Sequence, residues 1–241
     1  MKSKAYYRYE VGSYIRLCPF LFLPLVRLNN KIRHQGWPAA INHSTDLVLE
    51  GYFRSGNTFA TRAFMTSQIE SLKLAHHTHA TSTLIYAKRW SIPALVLLRS
   101  PADTVISATL KFPGTTVQQH LRWYLRYYRV VYKLRQHLYV ALFDEMSEDF
   151  GAVILKVNER YNTSFAPFSH TPENVQAVFD WIEEMDSRVN GKDISRYSIP
   201  IPARGVYKEA LLADLKHEQN ADLLGRCNLI YSLIVKDRNH G

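Results

Sequence analysis

Three groups of residues in this chain have the types and spacing for chemistry. The first is Gly51-Tyr52-Phe53-Arg54-Ser55-Gly56-Asn57-Thr58-Phe59. The apolar run before it reads as a buried strand, Gly56 and its neighbours as a tight loop, and Ala60 to Met65 as early helix. Strand, small-residue loop and helix N-terminus together converge unpaired backbone N–H groups on an anion that the helix dipole also favours. Arg54 adds a cation inside that loop. The second group is His76-His77-Thr78-His79. An imidazole titrates near neutrality and suits proton abstraction. A zinc site and a structural histidine cluster are the alternatives, but no carboxylate or cysteine stands nearby at ligand spacing, so no metal is expected. The third group is Arg99 and Ser107, with Pro101 and Asp103 between them suited to a first helical turn.

The spacing Gly51-x-x-x-x-Gly56-Asn57-Thr58 nearly reproduces the P-loop G-x-x-x-x-G-K-[ST]. Asn57 replaces its lysine, so the cradle suits an anion other than the β/γ-phosphates of ATP. Tyr139-Val140-Ala141-Leu142-Phe143-Asp144-Glu145 has the form of a magnesium-binding strand end. This keeps a P-loop-like kinase or nucleotidase using Asp144 as the alternative enzyme. A non-catalytic nucleotide- or polyanion-binding protein is the alternative of another class.

Tyr52-Phe53-Arg54-Ser55-Gly56-Asn57-Thr58-Phe59 resembles the phosphosulfate loop T-Y-P-K-S-G-T-T-W of sulfotransferases dependent on 3′-phosphoadenylyl sulfate (PAPS). Arg99-Ser100-Pro101-Ala102-Asp103-Thr104-Val105-Ile106-Ser107 resembles that family's second motif, R-N-P-K-D-x-x-x-S. The resemblance implies a P-loop NTPase-like α/β fold and transfer of a sulfuryl group from PAPS to an acceptor hydroxyl or amine. It implies Arg54 as the phosphosulfate clamp, Ser55, Gly56, Asn57, Thr58 and Phe59 as the loop on the 5′-phosphate side, and Arg99 with Ser107 on the 3′-phosphate. His79 matches the base of the family's K-T-H, and His77 stands for its lysine. Phe143-Asp144-Glu145-Met146 matches a strand end whose aromatic residue helps hold adenine. Pro202 to Lys208 loosely matches R-K-G-x-x-G-x-W-K, and only Arg204 and Gly205 carry over, to the 3′-phosphate.

The elements that must position these residues follow from periodicity. Strands are expected at Leu47 to Tyr52, Leu72 to His76, Ala94 to Leu98 and Tyr139 to Phe143. Helices are expected at about Thr58 to Glu70, Thr81 to Trp90, from Pro101, Thr116 to His137, Ser147 to Tyr161, Pro172 to Arg188 and Glu209 to Val235. Alternating strands and helices predict one α/β domain over residues 1–241 with a central parallel sheet flanked by helices. Residues 1–45 form an N-terminal extension packing on it. Asn190-Gly191, Pro200 and Pro202 mark a loop from Arg188 to Gly205. Parts of Arg188 to Pro202 and of Lys111 to Thr116 are expected to line the acceptor pocket.

The 241 residues carry 30 Lys and Arg against 21 Asp and Glu, a net charge of +9 that calls for anionic partners. No fold signature of specific nucleic-acid binding accompanies it. Arg122, Arg126, Arg129 and Lys133 share one helical face, which reads either as a solvated surface or as a docking stripe for an anionic acceptor such as a glycan or lipid head group. Leu17 to Val26 is apolar, bracketed by Arg16 and Arg27 and interrupted by two prolines, Pro19 and Pro24. It is too short to span a bilayer and lacks a signal-cleavage pattern, so it reads as a segment packed on the core, with a peripheral membrane contact as the alternative. The two cysteines, Cys18 and Cys227, are expected as free thiols in a reducing, cytoplasmic setting.

Overall fold

A computed structural model describes residues 4–33, 38–191, 193, 196–199 and 205–239. Four strands, β1 (Leu47–Gly51), β2 (Leu74–His76), β3 (Ala94–Leu98) and β4 (Tyr139–Leu142), form one parallel sheet in the order β2-β1-β3-β4. The two central strands are buried along their whole length. Alternate residues serve opposite layers, as a strand's period of two requires. Leu47, Leu49, Leu95 and Leu97 face α3 (Asn57–Ser67), α8 (Phe150–Tyr161) and α9 (Pro172–Asn190). Val48, Ala94, Val96 and Leu98 face α2 (Pro19–Arg33), α4 (Thr81–Arg89), α5 (Pro101–Lys111), α6 (Val117–Leu134) and the C-terminal α10 (Gly205–Lys216) and α11 (Glu218–Asp237). The fold is thus α/β, a central parallel sheet between two helical layers.

Strand order does the work of assembly. β1 has β2 on one side and β3 on the other, so the connections leaving the sheet diverge at the carboxyl ends of β1 and β3. Such a switch point opens a crevice between neighbouring strand ends. Gly51 registers with Leu97 and Leu98 with Leu142, which sets the loops after β1, β3 and β4 side by side. The loop after β2 opens on the other flank of β1.

The expected elements are present with local corrections. Both edge strands are shorter than the apolar pattern suggested. The helix expected over Ser147 to Tyr161 is two: α7 (Phe143–Glu148) and α8, separated at Asp149, whose extended backbone lets its carboxylate cap the Ala152 N–H at 3.0 Å. The C-terminal helix likewise breaks at His217, extended at φ −61° and ψ 143°. The long basic helix ends at Leu134 and tightens into one 3-10 turn, Arg135–His137. Thr116 and Gln119 start it with a reciprocal capping box.

The N-terminal extension is helical, which its aromatic, proline-interrupted sequence concealed. α1 (Lys4–Ile15) lies against α6, and α2 buries Phe22, Leu23 and Val26 in the main core. No single helix among the described residues is long and apolar enough to cross a membrane, and the pair Tyr9–Ile15 and Pro19–Ile32 that together could is bent by 116°.

Candidate active site

The loop after β1 is held from three sides. Gly56 ends it at φ +91°, a backbone that strains any side chain, and a Cβ there would lie 2.5 Å from Met146 Cε and 3.3 Å from the Phe143 ring, so glycine is strongly favoured. Ser55, fully buried, pairs its hydroxyl with that of Tyr128 at 3.2 Å, and Tyr128 donates to the Leu97 carbonyl at 2.9 Å. Asn57, in the place of the P-loop lysine, turns inward: its Nδ2 donates to the Tyr52 carbonyl at 2.9 Å. It ties the loop to itself and presents no charge. Asn57, Thr58 and Phe59 form the first turn of α3, whose backbone N–H groups have no acceptor within the helix.

Arg54 also has a left-handed backbone, at φ +65°. Its Nε donates to Ser107 Oγ at 2.9 Å and its Nη2 to the Tyr197 carbonyl at 2.9 Å. Arg54 therefore meets both Ser107 and the segment 196–199. That segment is fastened by Asp186 of α9, which accepts from the Ser198 N–H and from Lys111 Nζ. Residues 196–199, the described part of the expected acceptor segment Arg188 to Pro202 beyond α9, thus sit beside Arg54.

Arg99 reaches under the same loop. Its Nη1 donates to the Arg54 carbonyl at 3.2 Å, and its guanidinium lies 4.2 Å from the centroid of the Phe143 ring. Its Nε is buried with no hydrogen-bond partner. Asp144, exposed in the first turn of α7, acts on Arg99 only through its charge, while Glu145 forks onto Arg238 at 2.8 Å from each oxygen. Arg204 lies outside the described residues, and Gly205 opens α10.

On the other flank, the residues after β2 fold back onto β1. His77 and His79 both have left-handed backbones, at φ 57° and 47°. Glu50, wholly buried in β1, enforces this turn. One of its oxygens accepts from the Thr78 N–H at 2.8 Å and hydroxyl at 2.5 Å, the other from the His79 N–H at 3.0 Å. Burial pushes the Glu50 carboxyl up to about 7, against these three donors, which pull it down. His79 Nδ1 lies 2.8 Å from the Gly51 carbonyl. A carbonyl only accepts, so Nδ1 carries the proton and Nε2 keeps its lone pair. Burial lowers the His79 pKa to about 4, so the ring is neutral at pH 7.

His77 Nε2 lies 3.2 Å from Thr58 Oγ1, linking the histidine segment to the first turn of α3, and His77 Nδ1 lies 2.9 Å from His76 Nδ1. Among the described residues no group of three His, Cys, Asp or Glu side chains could hold a metal ion. Burial depresses His77 well below the usual imidazole range, so it supplies no positive charge on this flank at neutral pH.

Sequence reasoning missed Glu50, although a lone acid inside a fully apolar strand was the signal. It also missed His120. This buried imidazole lies 3.1 Å from Tyr52 OH through Nδ1 and 2.9 Å from Thr115 Oγ1 through Nε2, and its position on an apolar helix face gave no hint of that role.

No protein-family profile matches the chain, and no curated protein does. Among solved structures it is similar to mouse sulfotransferase SULT7A1 complexed with PAP. The two are 11% identical with a TM-score of 0.44, over 77% of this chain and 90% of that one.

Proposed function

We propose that this chain transfers a sulfuryl group from PAPS to an acceptor hydroxyl or amine. One observation carries the reading: His79 donates Nδ1–H to Gly51, the residue from which the anion loop springs, so the lone pair on Nε2 is fixed relative to that loop. A base and an anion cradle joined through one backbone carbonyl meet the positional demand of in-line group transfer.

The residues present fit the donor. The orphaned, buried Arg99 Nε calls for an acceptor, and the first turn of α3 offers N–H groups. The N–H groups of Ser55 to Phe59 would hold the 5′-phosphate side, Arg99 and Ser107 the 3′-phosphate, and Phe143 the adenine. PAPS supplies the sulfuryl group and a bisphosphate leaving group. His79 Nε2 takes the acceptor's proton, Glu50 holds that histidine in register, and Arg54 braces the loop through Ser107 and Tyr197. The cation of Arg54 remains close enough to the cradle to favour charge gathering there.

The test is calorimetric. Adenosine 3′,5′-bisphosphate should bind and raise the melting temperature more than ATP with magnesium at equal concentration. Arg99→Ala should weaken that binding by about 1.5–3 kcal/mol, as for a hydrogen bond to a charged group, while His79→Ala leaves it intact. Stronger stabilisation by ATP-magnesium, lost in Asp144→Asn, would replace this reading with a nucleotidase.

A peripheral membrane contact belongs to the same reading. α2 turns Phe20, Leu21, Leu25, Leu28 and Ile32 outward, with Arg27 and Lys31 also exposed on this helix. The chain should co-sediment with anionic vesicles, and Phe20→Asp with Leu28→Asp should abolish this.

A further inference from the structure

The turn after β2 backs both ends of the loop after β1. His79 meets the start of the loop at the Gly51 carbonyl, and His77 meets its end, with Nε2 3.2 Å from Thr58 Oγ1. Behind His77 stands His76, the two rings meeting Nδ1 to Nδ1 at 2.9 Å and nearly perpendicular, at 88°. A hydrogen-bonded chain therefore runs from the buried His76 through His77 to a hydroxyl in the first turn of α3. His77 keeps a left-handed backbone to reach that position, an uncommon conformation outside glycine. The Glu50 clamp on Thr78 and His79, the next two residues, maintains it.

Each of the two rings holds one proton at pH 7, because burial keeps both imidazoles neutral. Two bare Nδ1 atoms at 2.9 Å would set lone pair against lone pair, and two N–H groups would clash, so one proton lies between the rings. If His77 owns it, His77 Nε2 is bare and takes the Thr58 proton. If His76 owns it, His77 carries its proton on Nε2 and donates to Thr58 Oγ1. The Thr58 proton can then turn elsewhere, since a hydroxyl accepts and donates at the same time. The His76–His77 pair thus decides whether Thr58 is a donor or an acceptor toward anything else that meets it.

The position of Thr58 selects between the two arrangements. Its side chain tilts toward the N-terminus of α3, as helical side chains do, where the first-turn N–H groups have no acceptor within the helix. Thr58 is half-buried, and His77 is the one partner of its hydroxyl among the described residues. An oxyanion at that mouth only accepts, so it stabilises the arrangement in which Thr58 donates. We infer that His77 is a positioning residue for the anion loop: backed by a proton on His76 Nδ1, it donates Nε2–H to Thr58 Oγ1 and so turns the Thr58 proton onto an oxygen of the bound anion. This rests on the sulfuryl-transfer reading only in that an oxyanion fills the cradle. It gives His77 a task that needs no positive charge and that differs from the proton abstraction proposed for His79.

The test reads the ring nitrogens of the full chain labelled with nitrogen-15 at histidine. Long-range proton–nitrogen correlation separates bare from protonated ring nitrogens, and the His77 signals are assigned by their loss in His77→Phe or His77→Gln. With saturating adenosine 3′,5′-bisphosphate, or with sodium sulfate as a second probe, His77 should be protonated at Nε2 and bare at Nδ1. The reverse pattern in the bound chain would overturn the proposal. Thr58→Val, which keeps the shape and removes the hydroxyl, should weaken anion binding about tenfold or more, as for a lost hydrogen bond to a charged group. Thr58→Ser, which keeps the hydroxyl, should bind as wild type does. His77→Phe should weaken binding in wild type but no further in Thr58→Val, because His77 acts through that hydroxyl. Equal losses in both backgrounds would mean that His77 only packs, and the proposal falls. If sulfate binds with the expected tautomer while the bisphosphate does not bind, the donor reading falls and the role of His77 stands. Saturable binding of neither anion would overturn both.

Discussion

Glu50 holds the candidate base without touching a reactant. Its two oxygens take three donors from Thr78 and His79, and the left-handed backbones of His77 and His79 persist because that clamp over-determines them. Glu50→Gln keeps the shape but turns an amide NH₂ toward a backbone N–H or the Thr78 hydroxyl. The expected cost is about 1–3 kcal/mol in denaturant melts, the price of a buried donor left unmet. Because His79 loses its seat, turnover should fall more than bisphosphate affinity does. A variant as stable as wild type would mean that the carboxylate is no clamp.

At the scale of elements, the basic stripe of α6 divides. Arg122 and Arg126 pair with Glu10 of α1 at 3.5 and 3.2 Å, and Arg126 also donates to Ser13 Oγ at 3.0 Å and to Tyr14 OH at 2.6 Å. Only Arg129 and Lys133 remain exposed. The regular spacing predicted a face, and the face exists, but its first half docks a helix. Burial raises the Glu10 carboxyl while these arginines and Gln119 lower it further, leaving it below the usual carboxylate range. Glu10→Ala should therefore destabilise the fold by about 1–3 kcal/mol and expose α1 to limited proteolysis. Arg129→Gln with Lys133→Gln should leave the melting temperature within experimental scatter, since exposed charges contribute little.

The sheet edge makes a second element-scale case. Asn239 pairs its side-chain amide with both backbone groups of Val140, each at 3.0 Å, and so covers the open edge of β4 as a strand would. Asn239→Ala should cost about 1–2 kcal/mol, read from the urea midpoint, for two unmet edge groups.

Over the whole molecule, four histidines among the described residues, His76 and His120 buried and His77 and His79 half-buried, set the response to acid. Burial puts His76 and His79 at about 4, His120 at about 3 and His77 well below its ordinary value. The unfolded chain takes up protons near 6.5 and the folded chain does not. Their contribution is therefore complete above 6.5 and is lost as pH falls through 6.5 toward 4. Glu50 opposes them, because its raised pKa of about 7 penalises the fold as pH climbs from 4.5 through 7. Several histidines outweigh one carboxyl, so the melting temperature should fall from pH 7 to pH 5. A melting temperature that is flat or rising over that interval would contradict the burial of these rings. Glu50→Gln should steepen the acid loss, because the opposing contribution is gone.

The sequence by itself determined whatever depends on near neighbours. Short apolar runs placed all four strands, and Thr116, Pro101 and the glycines of the loop after β1 marked where helices and turns begin. The parallel α/β class followed from their alternation. Arg54 stood out as a cation inside the loop, Arg99 and Ser107 through the resemblance of their segment to a sulfotransferase motif, and strand order then brought Ser107 to 2.9 Å from Arg54 Nε. Only tertiary structure decided the rest. Whether Arg126 faces water or Glu10, whether Asn57 points into the cradle or back at Tyr52, and which hydroxyl His77 meets are decided only when the chain has folded. Glu10 and Arg126 are brought together by helix packing, and His77 and Thr58 by the pairing of β1 with β2. No local pattern encodes such pairings, because each is set by the sum of many contacts that fix one element against another.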